Sequence, residues 1–384
     1  MEIVKINVKK SYNVYIGKNL IPNLPDLIKE SEKDVYHRHM HAFVVTDRNL
    51  CTHYLKPTEK ALKKSGFKVR STVFKHGERL KNPKNLHNLL RQLVKAGLTR
   101  DSIIIGMGGG VIGDFSGFAA SVYMRGCYFV QMPTSLLAQV DSSIGGKVGI
   151  NLPEGKNLVG SFYNPLLVLS DIDTLKTLPE REFICGIAEI IKYGLIIDRK
   201  LFEQLRSFFF RYGIERTKIS NFQVKRLLLE DEDFLRSIIT KSVRIKGEIV
   251  ASDEREHAIR MILNFGHTFG HAVETLTGYR GFLHGEAVLL GMKIAAELSS
   301  AYGKIDVEEK GEILKFLNMF EIPMVRGISA KAVFSQIERD KKKREGKINY
   351  IILEKIGHAI WESEIEKETV VKCIQKVLED HSTK

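Results

Sequence analysis

Ser102-Ile103-Ile104-Ile105-Gly106-Met107-Gly108-Gly109-Gly110-Val111-Ile112-Gly113-Asp114 decides the fold class. A short β-branched run meets glycines, and Gly108, Gly110 and Gly113 match G-x-G-x-x-G at the start of a helix. Glycines let the backbone approach a phosphate, and a helix N-terminus offers free N–H groups and the positive end of its dipole. The usual dinucleotide unit has an acidic residue about 20 positions further on to hold the ribose. Here position 133 is proline and Asp141 lies too far along. A dinucleotide would therefore meet a variant of the motif, with Asp47 as the candidate ribose or adenosine contact. Without a ligand, the same stretch is only a tight strand-to-helix turn.

Outward from that turn, strand and helix patterns alternate. Residues 42–46 are apolar and β-branched, 69–74 alternate as a half-buried strand does, and 83–94 read as an amphipathic helix with Pro83 in its first turn. Residues 127–132 and 166–169 read as further strands. The alternation predicts βα units and a mostly parallel sheet. From about Pro179 the pattern changes, and 184–197, 222–250, 268–277 and 287–302 carry helical spacing. Strand signals return at 348–353 and 359–361, which read as a late hairpin. The expected architecture is a Rossmann-like α/β domain over residues 1–175 and a mainly α-helical domain over 176–384.

Composition narrows the class. Of 384 residues, 43% are hydrophobic and 27% charged, which fits a globular protein and excludes a disordered or collagenous one. No run of about 18 apolar residues suggests a membrane span. Met1-Glu2-Ile3-Val4-Lys5 lacks an apolar signal core, and Cys51, Cys127, Cys185 and Cys373 form no CxxC pair. A cytoplasmic protein without a cysteine-based zinc site is expected. The formal charge of +13 suits nucleic acid, an anionic surface, an anionic substrate, or only a well-solvated exterior. With no helix-turn-helix, zinc finger or basic-aromatic interleaving, no nucleic-acid partner is expected.

Two further stretches carry chemistry. Pro133-Thr134-Ser135 through Asp141-Ser142-Ser143-Ile144-Gly145-Gly146-Lys147, followed by Lys156-Asn157, is a polar, glycine-rich segment after a strand end, where α/β sheets meet ligands. Farther on, Asn264-Phe265-Gly266-His267-Thr268-Phe269-Gly270-His271 puts two histidines on one helical face. His284-Gly285-Glu286 adds a third histidine, and Ala188-Glu189-Ile190-Ile191-Lys192 sets a carboxylate in an apolar helix, where an unpaired charge is costly. A metal would explain that carboxylate. Two histidines and a carboxylate with open positions fit catalytic Zn²⁺ or a similar ion. The signal is weaker than HExxH because position 268 is threonine, and a pair of structural histidines is the plain alternative. A divalent ion beside a nicotinamide can acidify a substrate hydroxyl. Lys192, Lys246, Arg260 and Lys341 or Lys342 would then hold an anionic substrate.

In this order the motifs resemble the 3-dehydroquinate synthases of the sugar-phosphate cyclase superfamily, over roughly residues 46–357. The resemblance also rests on Tyr123-Met124-Arg125-Gly126, Asp173-Thr174-Leu175-Lys176-Thr177-Leu178-Pro179 and His284-Gly285-Glu286-Ala287-Val288. It implies a homodimeric lyase whose α/β domain (1–175) binds NAD and whose mainly α-helical domain (176–384) binds the metal, Zn²⁺ or Co²⁺, and the substrate. The implied reaction converts 3-deoxy-D-arabino-heptulosonate 7-phosphate to 3-dehydroquinate and phosphate, the second step of the shikimate route to chorismate and aromatic amino acids. It passes through NAD-dependent oxidation at C5, β-elimination of phosphate, re-reduction, ring opening and intramolecular aldol closure.

Carried over by residue, the resemblance implies that Glu189, His267 and His284 hold the metal. Arg260 and Lys246 would hold the substrate carboxylate. Lys147, Asn264, His271 and Lys342, favoured over Lys341, would hold the phosphate, with Arg125 reaching in from the other subunit. Asp141, Asn157 and Lys192 would contact hydroxyls, which the metal set of Glu189 and His284 would also face. Glu256 and His271 would handle protons, with Lys147 counted among the catalytic groups. On the cofactor side stand Asp47, Glu78, Lys81, Gly109, Gly110, Asp114, Thr134, Ser135, Lys156, Thr174, Leu175 and Thr177. His76 before Gly77-Glu78 departs from the family's usual Asp, and Cys185, at a variable position, is expected to be a buried packing residue. The weighed rivals are a sister cyclase acting on a sugar phosphate without the carboxylate and a metal-dependent alcohol or glycerol dehydrogenase. The joint presence of Arg260, Asn264, His271 and the Lys341-Lys342 pair favours the acid phosphate.

Overall fold

The computed structural model describes residues 1–32, 40–212, 218–255, 259–342 and 348–382. The chain divides into two compact units, Met1–Leu178 with Ile239–Arg255, and Pro179–Ile238 with Glu256–Lys384.

The first unit contains strands β1 (Glu2–Ile6), β2 (Tyr12–Gly17), β3 (His41–Asp47), β4 (Lys68–Phe74), β5 (Ile103–Gly108), β6 (Tyr128–Pro133), β7 (Lys147–Leu152), β8 (Gly155–Phe162) and β9 (Leu167–Asp171). Its larger helices are α1 (Leu24–Ser31), α2 (Lys56–Lys64), α3 (Pro83–Lys95) and α4 (Gly110–Val122). Seven strands form one sheet in the order β1-β2-β9-β6-β5-β3-β4, and only the β1–β2 pair is antiparallel. Because β3 is flanked by β4 on one side and β5 on the other, the winding reverses between β3 and β5. Open α/β sheets bind ligands beyond the carboxyl ends of the strands at such a point.

Alternation along β5 builds two cores. Ile103, Ile105 and Met107 pack with Leu24, Leu27 and Ile28 of α1 and Leu62 of α2. Ile104 points the other way, into a core with Leu89 and Leu93 of α3 and Ile112 and Phe115 of α4. A Cβ at Gly106 would lie 2.1 Å from Ser116 Oγ, so glycine is what lets α4 lie this close to β5.

In the second unit come α5 (Glu180–Ile196), α6 (Arg199–Phe210), α7 (Asn221–Glu230), α8 (Glu232–Ser252), α9 (His267–Leu276), α10 (His284–Ala301), α11 (Val307–Leu317), α12 (Ala330–Lys342) and α13 (Lys367–Ser382), with the hairpin of β10 (Tyr350–Lys355) and β11 (His358–Glu362). From Ile239 on, α8 belongs to the first unit. Residues 183–196 of α5 and 285–299 of α10 are buried throughout, as core helices are. The two cross where Gly285 meets Cys185: a Cβ on the glycine would lie 2.2 Å from the cysteine Cα. Cys185 is itself buried, as expected, and burial pushes its thiol pKa up.

The sequence pattern differs from the structure in three places. Residues 222–250 read as one helix but form α7 and α8. Asp231 leaves the helical region (φ −104°, ψ 74°), and its side chain accepts the Phe234 N–H to start the next helix. The β7–β8 hairpin, unforeseen in the sequence pattern, begins where the glycine-rich stretch after β6 ends, and β1 and β2 add an unforeseen sheet edge.

Candidate functional site

Glu189 lies in the middle of α5 with no solvent exposure. One turn later Lys192, also buried, forms an ion pair with its Oε2. Among the described residues neither carboxylate oxygen accepts a well-formed hydrogen bond. Oε1 instead faces two imidazoles, 3.5 Å from His267 Nε2 and 3.8 Å from His284 Nε2. The first residue of α9 is His267 and the first of α10 is His284. These helices approach closely because Gly291 replaces a side chain: a Cβ there would lie 2.0 Å from the Gly266 carbonyl oxygen. Gly266 itself takes a left-handed turn, at φ +77°.

Each histidine is oriented from its far nitrogen. His267 Nδ1 donates to the Phe265 carbonyl at 3.2 Å, and His284 Nδ1 donates to Glu274 Oε2 at 3.4 Å. Both Nε2 atoms therefore turn toward Glu189. Burial, reinforced by the Lys192 charge, holds the His267 pKa well below its usual value. Burial acts the same way on His284, but the Glu274 hydrogen bond and the Glu189 charge outweigh it and raise that pKa. The ligand atoms of His267, His271 and His284 lie within 4.8 Å of one another, with the His271 ring 5.7 Å from that of His284. An under-bonded buried carboxylate and inward-facing imidazole nitrogens fit a divalent cation.

The first unit carries a different kind of site. Gly109 precedes α4 without a capping side chain, so the helix N-terminus presents bare N–H groups beyond β5. Across the turn, Ser142 Oγ is buried without a partner among the described residues, and a Cβ at Gly110 would lie 2.9 Å from it. At the end of β3, buried Asp47 accepts the Asn49 N–H at 2.8 Å and lies 3.3 Å from His76 Nδ1. Lys81, also buried, donates to Asp114 Oδ2 at 2.6 Å and Asn157 Oδ1 at 2.5 Å. Asn151 extends this network by donating to Glu78 Oε1 at 2.7 Å and accepting the Asn157 N–H at 2.8 Å. Thr134 donates its N–H to the Gly108 carbonyl at 3.0 Å, and Ser135 Oγ accepts from Ala138 at 3.3 Å. Thr174 Oγ1 lies 3.2 Å from Gln139 Nε2, and Thr177 Oγ1 lies 2.7 Å from the Tyr54 hydroxyl. Leu175 between them is fully buried.

Family models described as 3-dehydroquinate synthase N-terminal and C-terminal match residues 71–185 and 186–343. The chain belongs to the 3-dehydroquinate synthase family. A 3-dehydroquinate synthase of Thermodesulfovibrio yellowstonii is 44% identical over 335 residues, covering 87% of this chain and 89% of its own length. One of Thermoanaerobacter pseudethanolicus is 40% identical over 377 residues, covering 98% and 100%. In fold the chain is similar to a 2-deoxy-scyllo-inosose synthase complexed with carbaglucose-6-phosphate, NAD⁺ and Co²⁺. That likeness has a TM-score of 0.80 at 23% identity, over 99% of this chain and 100% of the other.

The other residues that the family resemblance singled out are placed as follows. Lys246 is buried in the first unit and donates to Asp141 Oδ1 at 2.7 Å and to its carbonyl at 2.6 Å. Lys147 and Lys156 are exposed at the starts of β7 and β8. Arg125 is exposed on a turn at φ +62°. In the second unit Arg260 is buried, Asn264 half-buried and His271 exposed. Glu256 lies outside the described residues, as does the side chain of Lys342 at the end of α12. Sequence reading passed over Glu274 as a functional residue, although its place seven after His267 puts both on one face of α9. It also passed over Asn151, whose partners come from separate segments and leave no local signature.

Proposed function

We infer that the protein converts 3-deoxy-D-arabino-heptulosonate 7-phosphate to 3-dehydroquinate and phosphate. Kinship across both halves of the chain with relatives of that name carries the reading. The buried Glu189 carboxylate facing two imidazole Nε2 atoms gives it a chemical centre.

Glu189, His267 and His284 would hold Zn²⁺ or Co²⁺. Asp47, Glu78, Lys81, Gly109, Gly110, Asp114, Thr134, Ser135, Lys156, Thr174, Leu175 and Thr177 would hold NAD. When bound, these groups supply Lewis acidity toward substrate hydroxyls and reversible hydride transfer. Lys192, ion-paired with Glu189, is assigned to a substrate hydroxyl. Arg260, as a planar fork, suits the substrate carboxylate, and Lys246 shares that role with its Asp141 contact. Asp141 and Asn157 are assigned to hydroxyls. The assignments to phosphate are Lys147, Asn264, His271, Lys342 and Arg125. Glu256 and His271 are assigned to proton transfer, and the phosphate of the substrate can itself accept the C6 proton.

The family resemblance supports a homodimer in which Arg125, exposed on its turn, serves the other copy. The four cysteines are free, which supports the cytoplasm as the compartment. No helix among the described residues is long and apolar enough to cross a membrane.

The test is phosphate release from the acid phosphate with NAD⁺ and Zn²⁺ or Co²⁺ present. Equal amounts of phosphate and dehydroquinate, without net NADH, are the expected result; steady NADH accumulation would indicate a dehydrogenase. Arg260→Ala should lose use of this substrate while keeping its metal, and loss of metal would remove the carboxylate assignment. Light scattering should give the mass of two chains.

A further inference from the structure

We propose that Glu274 is a positioning residue for the metal centre: by accepting the Nδ1–H of His284, it fixes that imidazole with Nε2 directed at the cation site. The proposal rests on the reading of Glu189, His267 and His284 as the ligand set.

Three observations converge on it. Glu274 is 7% exposed on α9, between buried Val273 and half-buried Thr275, a place where a carboxylate is costly unless it has work to do. Its Oε2 lies 3.4 Å from His284 Nδ1, while Glu189 Oε1 lies 3.8 Å from Nε2 of the same ring. One imidazole is thus held between two carboxylates from two different helices. Finally, the two histidines differ in need. The His267 side chain is 12% exposed and bonded to the Phe265 carbonyl, whereas that of His284 is 33% exposed at the head of α10. The more exposed ring has more freedom to turn over and exchange its nitrogens. A carboxylate at Nδ1 removes that freedom and strengthens Nε2 as a donor, as acceptors behind metal-binding histidines do.

The experiment titrates the metal-stripped full chain with Co²⁺ against a competing chelator, reading Kd and the visible absorption of Co²⁺. Glu274→Leu should raise Kd by about 10- to 100-fold and shift the absorption bands. Glu274→Gln, whose amide oxygen can still accept from Nδ1, should recover most of the affinity and the parent bands. A Leu variant with Kd within about twofold of the parent and unchanged bands would overturn the proposal, since bonds to such positions are worth a measurable fraction of the affinity. If the Leu variant does not fold, Glu274→Asp decides: it keeps the charge but is one methylene too short. Weakened binding with shifted bands supports the proposal, and parent-like values overturn it. A parent chain that binds Co²⁺ no better than Glu189→Gln would instead defeat the ligand-set reading.

Discussion

The glycine turn of the first unit and the histidine cluster of the second prepare for ligands in opposite ways. At the turn, the capacity comes from what is missing: side chains at Gly109 and Gly110, and a cap on α4. At the cluster it comes from what is present: a carboxylate and imidazoles whose charges and lone pairs do not satisfy one another inside a packed core. The first kind of site should fail when atoms are added, the second when charge is removed. Each failure should stay within its own unit.

The largest expected effect is Glu189→Gln. Removing a charged member of the proposed ligand set should lower Co²⁺ affinity by more than the about 10- to 100-fold typical of residues that act behind a ligand. NAD⁺ affinity should hold; a parallel loss of NAD⁺ binding would break the comparison. Next comes Gly110→Ala. The added methyl should cost about 1–3 kcal/mol of stability against Ser142 Oγ and, by crowding the bare helix N-terminus, weaken NAD⁺ binding, with metal content unchanged. The double variant with Ser142→Ala sharpens the point. Recovery would trace the loss to the 2.9 Å approach to Ser142 Oγ, and no recovery would trace it to the nucleotide.

A smaller effect is expected from pH. The raised His284 pKa stabilises the metal-free protein below the usual value of 6.5, and that contribution is lost as the pH rises through the folded value. Binding a cation at Nε2 must expel the proton, so affinity should climb by at most about tenfold per pH unit and then level off. Calorimetry in buffers of different ionisation enthalpy should find proton release that fades as the pH rises; release independent of pH would contradict the assigned His284 state. Smallest of all is Lys176→Ala, which removes the exposed 2.6 Å pair with Asp173. A change of stability beyond about 0.5 kcal/mol, measured by denaturant titration, would show that exposed charge matters more than the comparison allows.

The two regions also differ in how far the sequence reveals them. Ile103-Ile104-Ile105 before Gly106 and the four-residue spacing of His267 and His271 are local patterns, and period alone places them. Glu189 is legible because a carboxylate among isoleucines is anomalous. The Lys246–Asp141 pair is not legible, because it joins positions 105 apart. Nor is the break at Asp231 visible, since the hydrophobic period runs on through it and only the capping bond to Phe234 marks the restart. The β7–β8 hairpin carries too weak a strand pattern to show, because Gly149, Gly155 and Gly160 interrupt it. Local chemistry announces itself in sequence, whereas pairings across the fold depend on topology.

The crossing of α5 and α10 ties the metal centre to a glycine that touches no ligand. Gly285 is pressed against the Cα and carbonyl of Cys185, and its N–H also meets the buried thiol. Position 285 can therefore carry no side chain at all, while position 185 must carry one small enough for the packed core around it. Any larger residue at 285 would displace the helix that begins with His284 and carry that imidazole away from Glu189.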